Sequence, residues 1–152
     1  MFEISVASNC PGDIELLLQQ HRARMLTLSP SEHVHALDNR GLQDPAVTFF
    51  ACREGTALAG CAALKRLGEG AAELKSMRTA DSYLRRGVAL LLLQYVEGFA
   101  RECGIERLYL ETGSAKAFEP AIKLYEKQEF TCCEPFADYA LDPHSVFYVK
   151  AL

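Results

Sequence analysis

Apolar residues recur with two different spacings along this chain, and the change of spacing separates its first half from its second. In the first half, apolar residues alternate with polar ones or form short β-branched and aromatic runs, as expected for strands. Glycine and glutamate turns separate the last three of these segments, which predicts an antiparallel meander. The predicted strands are 2–7, 47–53, 58–67 and 72–79, and the predicted helices of this half are 14–28 and a short piece at 31–37.

Helical spacing dominates the second half. Residues 87–103 predict the longest amphipathic helix, and Gly104 after it suits a left-handed C-terminal cap. Its predicted apolar face is Val88, Leu92, Tyr95, Val96, Phe99 and Cys103, and its predicted polar face is Gln94, Glu97, Arg101 and Glu102. Strands at 107–112, 130–133 and 145–150 and a helix at 118–128 complete the order. The order predicts an α/β (α+β) fold, a mixed, mostly antiparallel sheet with helices on both faces.

Composition and charge restrict the function classes. The chain has 152 residues, of which 49% are hydrophobic and 24% charged, as in an ordinary globular protein of one domain, here 1–152. The net charge of −4 argues against general nucleic-acid binding. The longest apolar run, Val88 to Leu93, is far shorter than the roughly 20 residues that span a bilayer. Without a visible secretory signal, we expect a cytoplasmic protein that binds neither nucleic acid nor membrane.

Six cysteines are present, most of them inside apolar segments such as the one around Cys52. No C-x-x-C pair occurs, and none of the four histidines lies at zinc-binding spacing from a cysteine. We therefore expect buried, reduced thiols and no metal site. Cys132 and Cys133 are neighbours on a predicted strand, so their side chains point to opposite faces and one of them could face a cleft.

The residues with the clearest chemical meaning lie where a strand leads into the long helix. After the strand 72–79 and a loop, the helix opens with Leu84-Arg85-Arg86-Gly87-Val88-Ala89. Between residues 65 and 86 there are six cations and three anions, in a chain of negative net charge. Free N–H groups at a helix start bind phosphate, so the pattern predicts a site for a polyphosphate ligand. A capped helix with a solvated basic turn is the alternative that this motif leaves open.

The same stretch resembles the cofactor signature of the GNAT superfamily of acetyl-CoA-dependent N-acetyltransferases: Gln or Arg, two residues, Gly, one residue, then Gly or Ala. Gly87 and Ala89 match it, whereas Leu84 stands where Gln or Arg is usual. Glu111-Thr112-Gly113 and the segment 121–130, with its Leu-Tyr pair before Glu-Phe, are similar to a later family motif. The order of elements is similar over the whole chain. The resemblance implies a GNAT-like domain that transfers acetyl from acetyl-CoA to a small-molecule or peptide amine in a ternary complex.

The resemblance also implies where acetyl-CoA, as co-substrate, would bind. The thioester would lie between the strands 72–79 and 107–112, with its oxygen held by a main-chain N–H. The pantetheine arm would pair with the main chain of Met77 and Thr79, and the pyrophosphate would sit on the turn at the helix start. The implied cofactor-binding residues are Met77, Arg78, Thr79, Arg85, Arg86, Gly87, Val88 and Ala89.

Three residues are candidates for proton transfer in the implied reaction. Tyr125 matches the family tyrosine that protonates the departing thiolate, and a core tyrosine is the alternative. Glu73 and Glu111 are candidates for the base that deprotonates the amine. Glu73 is predicted to share a strand face with Lys75 and Met77, so a salt bridge to Lys75 is its alternative role.

The acceptor side carries no motif that names the substrate. Side chains without an assigned role that could line it are Arg22, Arg24, Asp138, Tyr139, Asp142 and His144. The loop histidines His33, His35 and His144 are further candidates for the base, and solvated histidines are the alternative. A non-catalytic acyl-CoA-binding sensor or scaffold module is the main alternative function, and a protein-interaction domain is a weaker one. The edge strands of the sheet would also allow a homodimer.

Overall fold

The computed structural model describes residues 1–7, 11–28 and 44–152. Over these residues the chain forms seven strands and three α-helices, in the predicted order and within two residues of the predicted ends. They are β1 (Phe2–Ala7), α1 (Gly12–Leu28), β2 (Val47–Glu54), β3 (Ala57–Gly68), β4 (Ala71–Thr79), α2 (Val88–Glu102), β5 (Arg107–Gly113), α3 (Glu119–Lys127), β6 (Thr131–Cys132) and β7 (Ser145–Ala151). Among these elements, no helix is both long and apolar enough to cross a membrane. The predicted helical piece 31–37 and its two histidines lie outside the described residues.

The seven strands form one sheet in the order β1-β2-β3-β4-β5-β7-β6. All neighbours are antiparallel except β4 and β5, which are parallel because α2 carries the chain back between them. On one face, Ile14, Leu17 and Leu18 of α1 pack against β2 and β3. Helices α2 and α3 cover the other face in a larger apolar cluster. The predicted mixed, mostly antiparallel sheet with helices on both faces is therefore confirmed.

Strands β4 and β5 diverge after a short stretch of pairing. Their register runs from Ala71 opposite Arg107 to Leu74 opposite Leu110 and ends there. Beyond this point β4 continues beside β3 and β5 continues beside β7, so the two parallel strands separate. Within the described chain, the facing edges of β4 and β5 then have no strand partner, and a gap opens in the sheet.

A β-bulge in β4 changes which side chains face each side of the sheet. Ser76 has a φ of 52°, and the register against β3 shifts at this position. Before the bulge, Glu73 and Lys75 face the α1 side, because the residues that alternate with them pack against α2. After it, Met77 packs against the α2 cluster. The prediction that Met77 shares a face with Glu73 and Lys75 is wrong, because the extra residue reverses the alternation.

Helix α2 buries a face that differs from the one its spacing predicts. Glu97, predicted to be on the polar face, is 5% exposed and accepts a hydrogen bond from Lys150 Nζ at 2.8 Å. Tyr95 and Cys103, predicted to be on the apolar face, are exposed. The buried residues are Val88, Leu92, Leu93, Val96, Glu97 and Ala100. The carboxylate tolerates burial because an ammonium on β7 neutralises it, and local spacing does not show that partner.

Five of the six cysteines lie in the described residues, and none of them forms a disulfide with another described residue. Cys52 and Cys61 are buried as predicted, and Cys133 is partly buried. Cys103 and Cys132 are exposed, so the prediction of buried thiols is wrong for these two. Cys103 follows the end of α2, and Cys132 lies on the short edge strand β6, where little packs over it. Within the described residues, no three metal-ligating side chains are grouped.

Candidate active site

The gap between β4 and β5 opens into a cavity of about 630 Å³ that reaches both sides of the sheet. It is bounded by α1 on one side and by the start of α2 and by α3 on the other. The strands contribute residues 73–79 of β4 and 110–113 of β5, which flank the point where their pairing ends. Two ligands that enter from opposite sides of the sheet would therefore meet between the strands.

The first turn of α2 forms one end of this cavity. Gly87 precedes it with a φ of 84°, a left-handed conformation that glycine adopts without steric cost. No described side chain caps the helix, and the Leu91 N–H donates to the Gly87 carbonyl oxygen at 3.1 Å. The N–H groups of Val88, Ala89 and Leu90 therefore lack intrahelical partners, and these residues line the cavity. Such a turn can hold an anion.

The two arginines before this turn point in different directions. Arg85, with a φ of 62°, lines the cavity. Arg86 instead donates to Glu54 Oε2 at 3.1 Å and stacks on the rings of Phe2 and Tyr83, at 5.2 and 5.0 Å from their centroids. Its side chain is thus held at the β1–β2 edge of the sheet. The predicted cofactor-binding residues that line the cavity are Met77, Arg78, Thr79, Arg85, Gly87, Val88 and Ala89.

Tyr125 reaches the cavity from α3. Its side chain is buried, with 7% exposed, and its ring packs edge-on against Phe130 at 5.8 Å between centroids. Its hydroxyl makes no hydrogen bond to any residue that the structure describes. Burial raises the pKa of Tyr125, so the hydroxyl keeps its proton and can donate it to a bound ligand. The residue is therefore both a core tyrosine and a cavity residue.

Glu73 is held by two partners on the α1 side of β4. It is 4% exposed, and its Oε2 accepts hydrogen bonds from Tyr139 Oη at 2.7 Å and from Lys75 Nζ at 3.2 Å. Lys75 Nζ also donates to Tyr139 Oη at 2.8 Å. Burial and the charge of Glu73 raise the pKa of Tyr139, which keeps it a donor. The salt bridge to Lys75, the alternative role of Glu73, is confirmed.

A second cavity, of about 650 Å³, lies beside Glu73 and Lys75 and is covered by the loop before β7. The predicted acceptor-side residues Asp138, Tyr139 and Asp142 line this second cavity. Arg24 lines the main cavity, whereas Arg22 and His144 line neither of the two.

Glu111 lies on the opposite strand of the gap from Glu73. It lines the main cavity and is partly buried, and its Oε2 accepts a hydrogen bond from Ser145 Oγ at 2.6 Å. The Ser145 hydroxyl orients the carboxylate. The structure therefore brings Tyr125, Glu73 and Glu111 to one cavity.

Helix α1 contributes residues that the sequence pattern did not single out. His21 and Met25 line the cavity with Arg24, because positions three and four apart share one helix face. Burial, together with the positive charges of Arg78 and Arg24, lowers the pKa of His21 to about 4. His21 is thus neutral at pH 7. The only signal in the sequence was its spacing from Arg24 and Met25, which is common in helices that bind nothing.

The comparisons with known proteins agree with this arrangement. Residues 15–130 match the acetyltransferase (GNAT) family. The chain is 52% identical over 136 residues to the uncharacterized N-acetyltransferase YsnE of Bacillus subtilis, covering 90% of each chain. It is 48% identical over 147 residues to the uncharacterized N-acetyltransferase YedL of Escherichia coli, covering 97% of this chain and 92% of YedL.

Solved structures share the fold. A Klebsiella pneumoniae protein named provisionally as an acyl-CoA N-acyltransferase has a TM-score of 0.82 and 27% identity, over 100% of this chain and 98% of that one. A Bacillus subtilis acetyltransferase in complex with CoA has a TM-score of 0.74 and 16% identity, over 100% of this chain and 99% of that one. Fold, split sheet and relatives together define an acyltransferase enzyme. The chain belongs to the GNAT acetyltransferase family.

Proposed function

We propose that the protein transfers the acetyl group of acetyl-CoA to an amine of a small molecule or peptide, by direct attack in a ternary complex. The separation of β4 from β5 beyond Leu74 and Leu110 is the observation that carries this proposal. It supports a donor that enters beside α2 and α3 and an acceptor that enters beside α1. Direct transfer needs such a meeting point, because the amine must approach the thioester carbon closely.

The donor half of the proposal rests on two sets of unpaired main-chain groups. The pantetheine arm of acetyl-CoA would pair with the edge of β4 at Met77 and Thr79, where β5 no longer pairs with it. The pyrophosphate would accept hydrogen bonds from the first turn of α2, with the Arg85 guanidinium as its counter-charge. Arg86 would not contact the pyrophosphate, because its ion pair with Glu54 holds its side chain at the β1–β2 edge of the sheet.

The reaction forms one C–N bond and breaks one C–S bond. The neutral amine attacks the thioester carbon, and a main-chain N–H of β4 holds the negative oxygen until the CoA thiolate leaves. We assign Tyr125 as the acid that protonates this thiolate, because its hydroxyl is protonated and unpartnered among the described residues. We assign Glu111 as the base that takes the proton of the amine, because Lys75 already neutralises Glu73 at 3.2 Å. Both groups then exchange a proton with water.

Calorimetric titration with acetyl-CoA at two salt concentrations tests the donor site. We expect micromolar affinity that weakens as the salt concentration rises, because screening weakens a phosphate site that is held partly by charge. An absence of binding would overturn the transferase proposal and the acyl-CoA sensor alternative together.

The turnover rate of the Tyr125→Phe variant distinguishes the transferase from the non-catalytic acyl-CoA sensor. Wild-type protein should acetylate members of an amine panel, and loss of the hydroxyl should lower kcat by about 10²–10⁴-fold with nearly unchanged affinity for acetyl-CoA. Tyr95→Phe is the matched control, since Tyr95 is exposed on α2 outside the cavity. An undiminished kcat would remove Tyr125 from the mechanism. Binding of acetyl-CoA without transfer to any amine would favour the sensor.

A further inference from the structure

Two arginines, Arg24 of α1 and Arg78 of β4, lie on the wall of the main cavity on the α1 side. Both charges act on His21, which lines the same cavity, so the three groups lie near one another. His21 is neutral at pH 7 and adds no charge there. Among the described residues, two positive charges therefore lie at the end of the cavity where we expect the acceptor.

Arg78 has hydrogen-bonding capacity that the described part of the protein does not use. Its side chain is 17% exposed, and its Nη2 donates at 3.0 Å to Asp81, whose carboxylate is 82% exposed. Its Nε is buried and has no hydrogen-bond partner among the described residues. A buried N–H without an acceptor costs free energy, and an oxygen of a ligand would remove that cost. A guanidinium presents its N–H groups as a planar fork that matches a carboxylate.

The bulge in β4 is the reason that Arg78 faces this end. With regular alternation, position 78 would fall on the α2 side, because Lys75 faces the α1 side. Ser76, with its φ of 52°, shifts the register so that Arg78 lies opposite Cys61, which belongs to the α1-side cluster. The Cys61 thiol lies 3.7 Å from the Ser76 carbonyl oxygen, as a weak donor to it. One local distortion thus presents an arginine to the acceptor side of the gap.

Within residues 1–7, 11–28 and 44–152, the carboxylates that line the cavity form no ion pair with these two arginines. Glu73 is paired with Lys75, and the described residues contain no ion pair that joins Arg24 or Arg78 to Glu73 or Glu111. Asp81 is the only described carboxylate that pairs with Arg78, and solvent screens it because it is exposed. A negative group on the ligand would complete the charge balance.

We propose that the acceptor amine carries a carboxylate, as an amino acid does, and that Arg78 binds this carboxylate with Arg24 beside it at the cavity opening. The inference rests on the proposed acetyl transfer and specifies the class of its acceptor. The amine end of such an acceptor lies toward Glu111 on the opposite strand, and the carboxylate end lies toward α1.

Acceptors that differ only in the carboxylate test this inference. Initial rates are measured at saturating acetyl-CoA with amino acids, with the corresponding amino acid amides, with an aminoalkyl phosphate and with spermidine. We expect wild-type kcat/KM to favour at least one amino acid over its amide by about 10–100-fold, the range for a hydrogen bond to a charged group. Arg78→Gln should lose this preference through a higher KM for the amino acid, and the ratio of acid to amide rates separates this effect from any change in acetyl-CoA affinity, which is titrated separately.

Two further variants show whether a loss of preference for the carboxylate arises from the lost arginine or from a disturbed fold. Arg24 lies at an exposed position of α1, so Arg24→Gln should lose part of the preference for amino acids over their amides without disturbing buried packing. Arg101→Gln removes an exposed arginine near the end of α2, outside the cavity, and should keep the full preference. Thermal unfolding of each variant shows whether the fold is retained.

The outcomes separate this inference from the function on which it rests. Equal rates on acids and amides, a preference for spermidine, or acetylation of no amino acid would overturn the carboxylate acceptor while acetyl-CoA binding still supports the transferase. A preference for the aminoalkyl phosphate would overturn it in favour of a phosphate-bearing acceptor. Wild-type protein that does not bind acetyl-CoA would overturn the proposed function itself.

Discussion

Replacement of Gly60 by alanine tests how closely helix α2 packs on the sheet beside its first turn. Gly60 lies on β3, opposite Thr79 of β4. A Cβ atom at this position would lie 2.8 Å from Val88 Cγ1 and 2.9 Å from the main-chain oxygen of Arg78. It would also lie 3.1 Å from Leu92 Cδ1. The oxygen belongs to the main chain of β4 and cannot move without displacing the strand. Val88 Cγ1 belongs to a buried β-branched side chain whose rotation is restricted in a helix.

The size of the effect follows from this overlap. Overpacking of a well-packed core costs about 1–3 kcal/mol of unfolding free energy. For a chain of this length, each kcal/mol lowers Tm by about 2–4 °C, so we expect Gly60→Ala to melt roughly 2–12 °C below wild type. Thermal and urea unfolding followed by circular dichroism measure it. Because Val88 belongs to the turn where we propose the pyrophosphate, acetyl-CoA affinity should fall as well.

Gly98→Ala is the matched control, since Gly98 lies in α2 with no atom within 4 Å of an added Cβ. Alanine is favoured over glycine in a helix interior by about 0.5–1 kcal/mol, so this variant should be slightly more stable than wild type. A Gly60→Ala variant as stable as wild type, or an equal loss of stability in Gly60→Ala and Gly98→Ala, would refute the close packing of α2 on β3.

Two further predictions concern charged groups around the cavity. Arg85→Gln should weaken acetyl-CoA binding by about tenfold at low salt and by less at high salt, because salt screens its charge. Arg86→Gln should leave the affinity nearly unchanged and remove only an exposed ion pair worth at most about 1 kcal/mol. Equal losses of affinity when the two variants are titrated with acetyl-CoA would contradict this difference. Burial and neighbouring cations hold the pKa of His21 at about 4 in the folded protein, against 6.5 for an ordinary histidine. The unfolded chain therefore binds the proton first, and unfolding free energy should decrease as the pH falls from 6.5 to 4, with a slope of up to about 1.4 kcal/mol per pH unit. His21→Gln should flatten this slope in urea unfolding at several pH values, and an unchanged slope would refute the contribution of His21.

The order of the elements was predictable because apolar spacing and turn residues are local properties of the chain. Val88, Leu92 and Val96 recur at helical spacing and are all buried in α2. Gly87 marks the start of that helix, and its φ of 84° is the reason that glycine is suited to this position. Signals of this kind need only neighbours within a few residues, so they predict helices, strands and the turn at the start of α2.

Side-chain surroundings were less predictable, because their partners lie far away along the chain. Glu97 looked like a residue of a solvated face, and it is buried because Lys150 of β7 pairs with it at 2.8 Å. Arg86 belongs to the segment that was predicted to bind phosphate, yet its ion pair with Glu54 of β2 places its side chain at the edge of the sheet. Helical or strand spacing shows where a side chain points relative to its neighbours in sequence. It does not show which residue from a distant part of the chain will pair with it.

The sequence by itself determined the elements, their order, and the turn at the start of α2. Only the tertiary structure decided that β4 and β5 part after Leu74, and that the bulge at Ser76 turns Met77 toward α2 and Arg78 toward α1. The physical reason is that strand register and divergence depend on hydrogen bonds to β3 and β7, which form only when the sheet assembles. The cavity, and the arginine that we propose to select its acceptor, are therefore products of assembly.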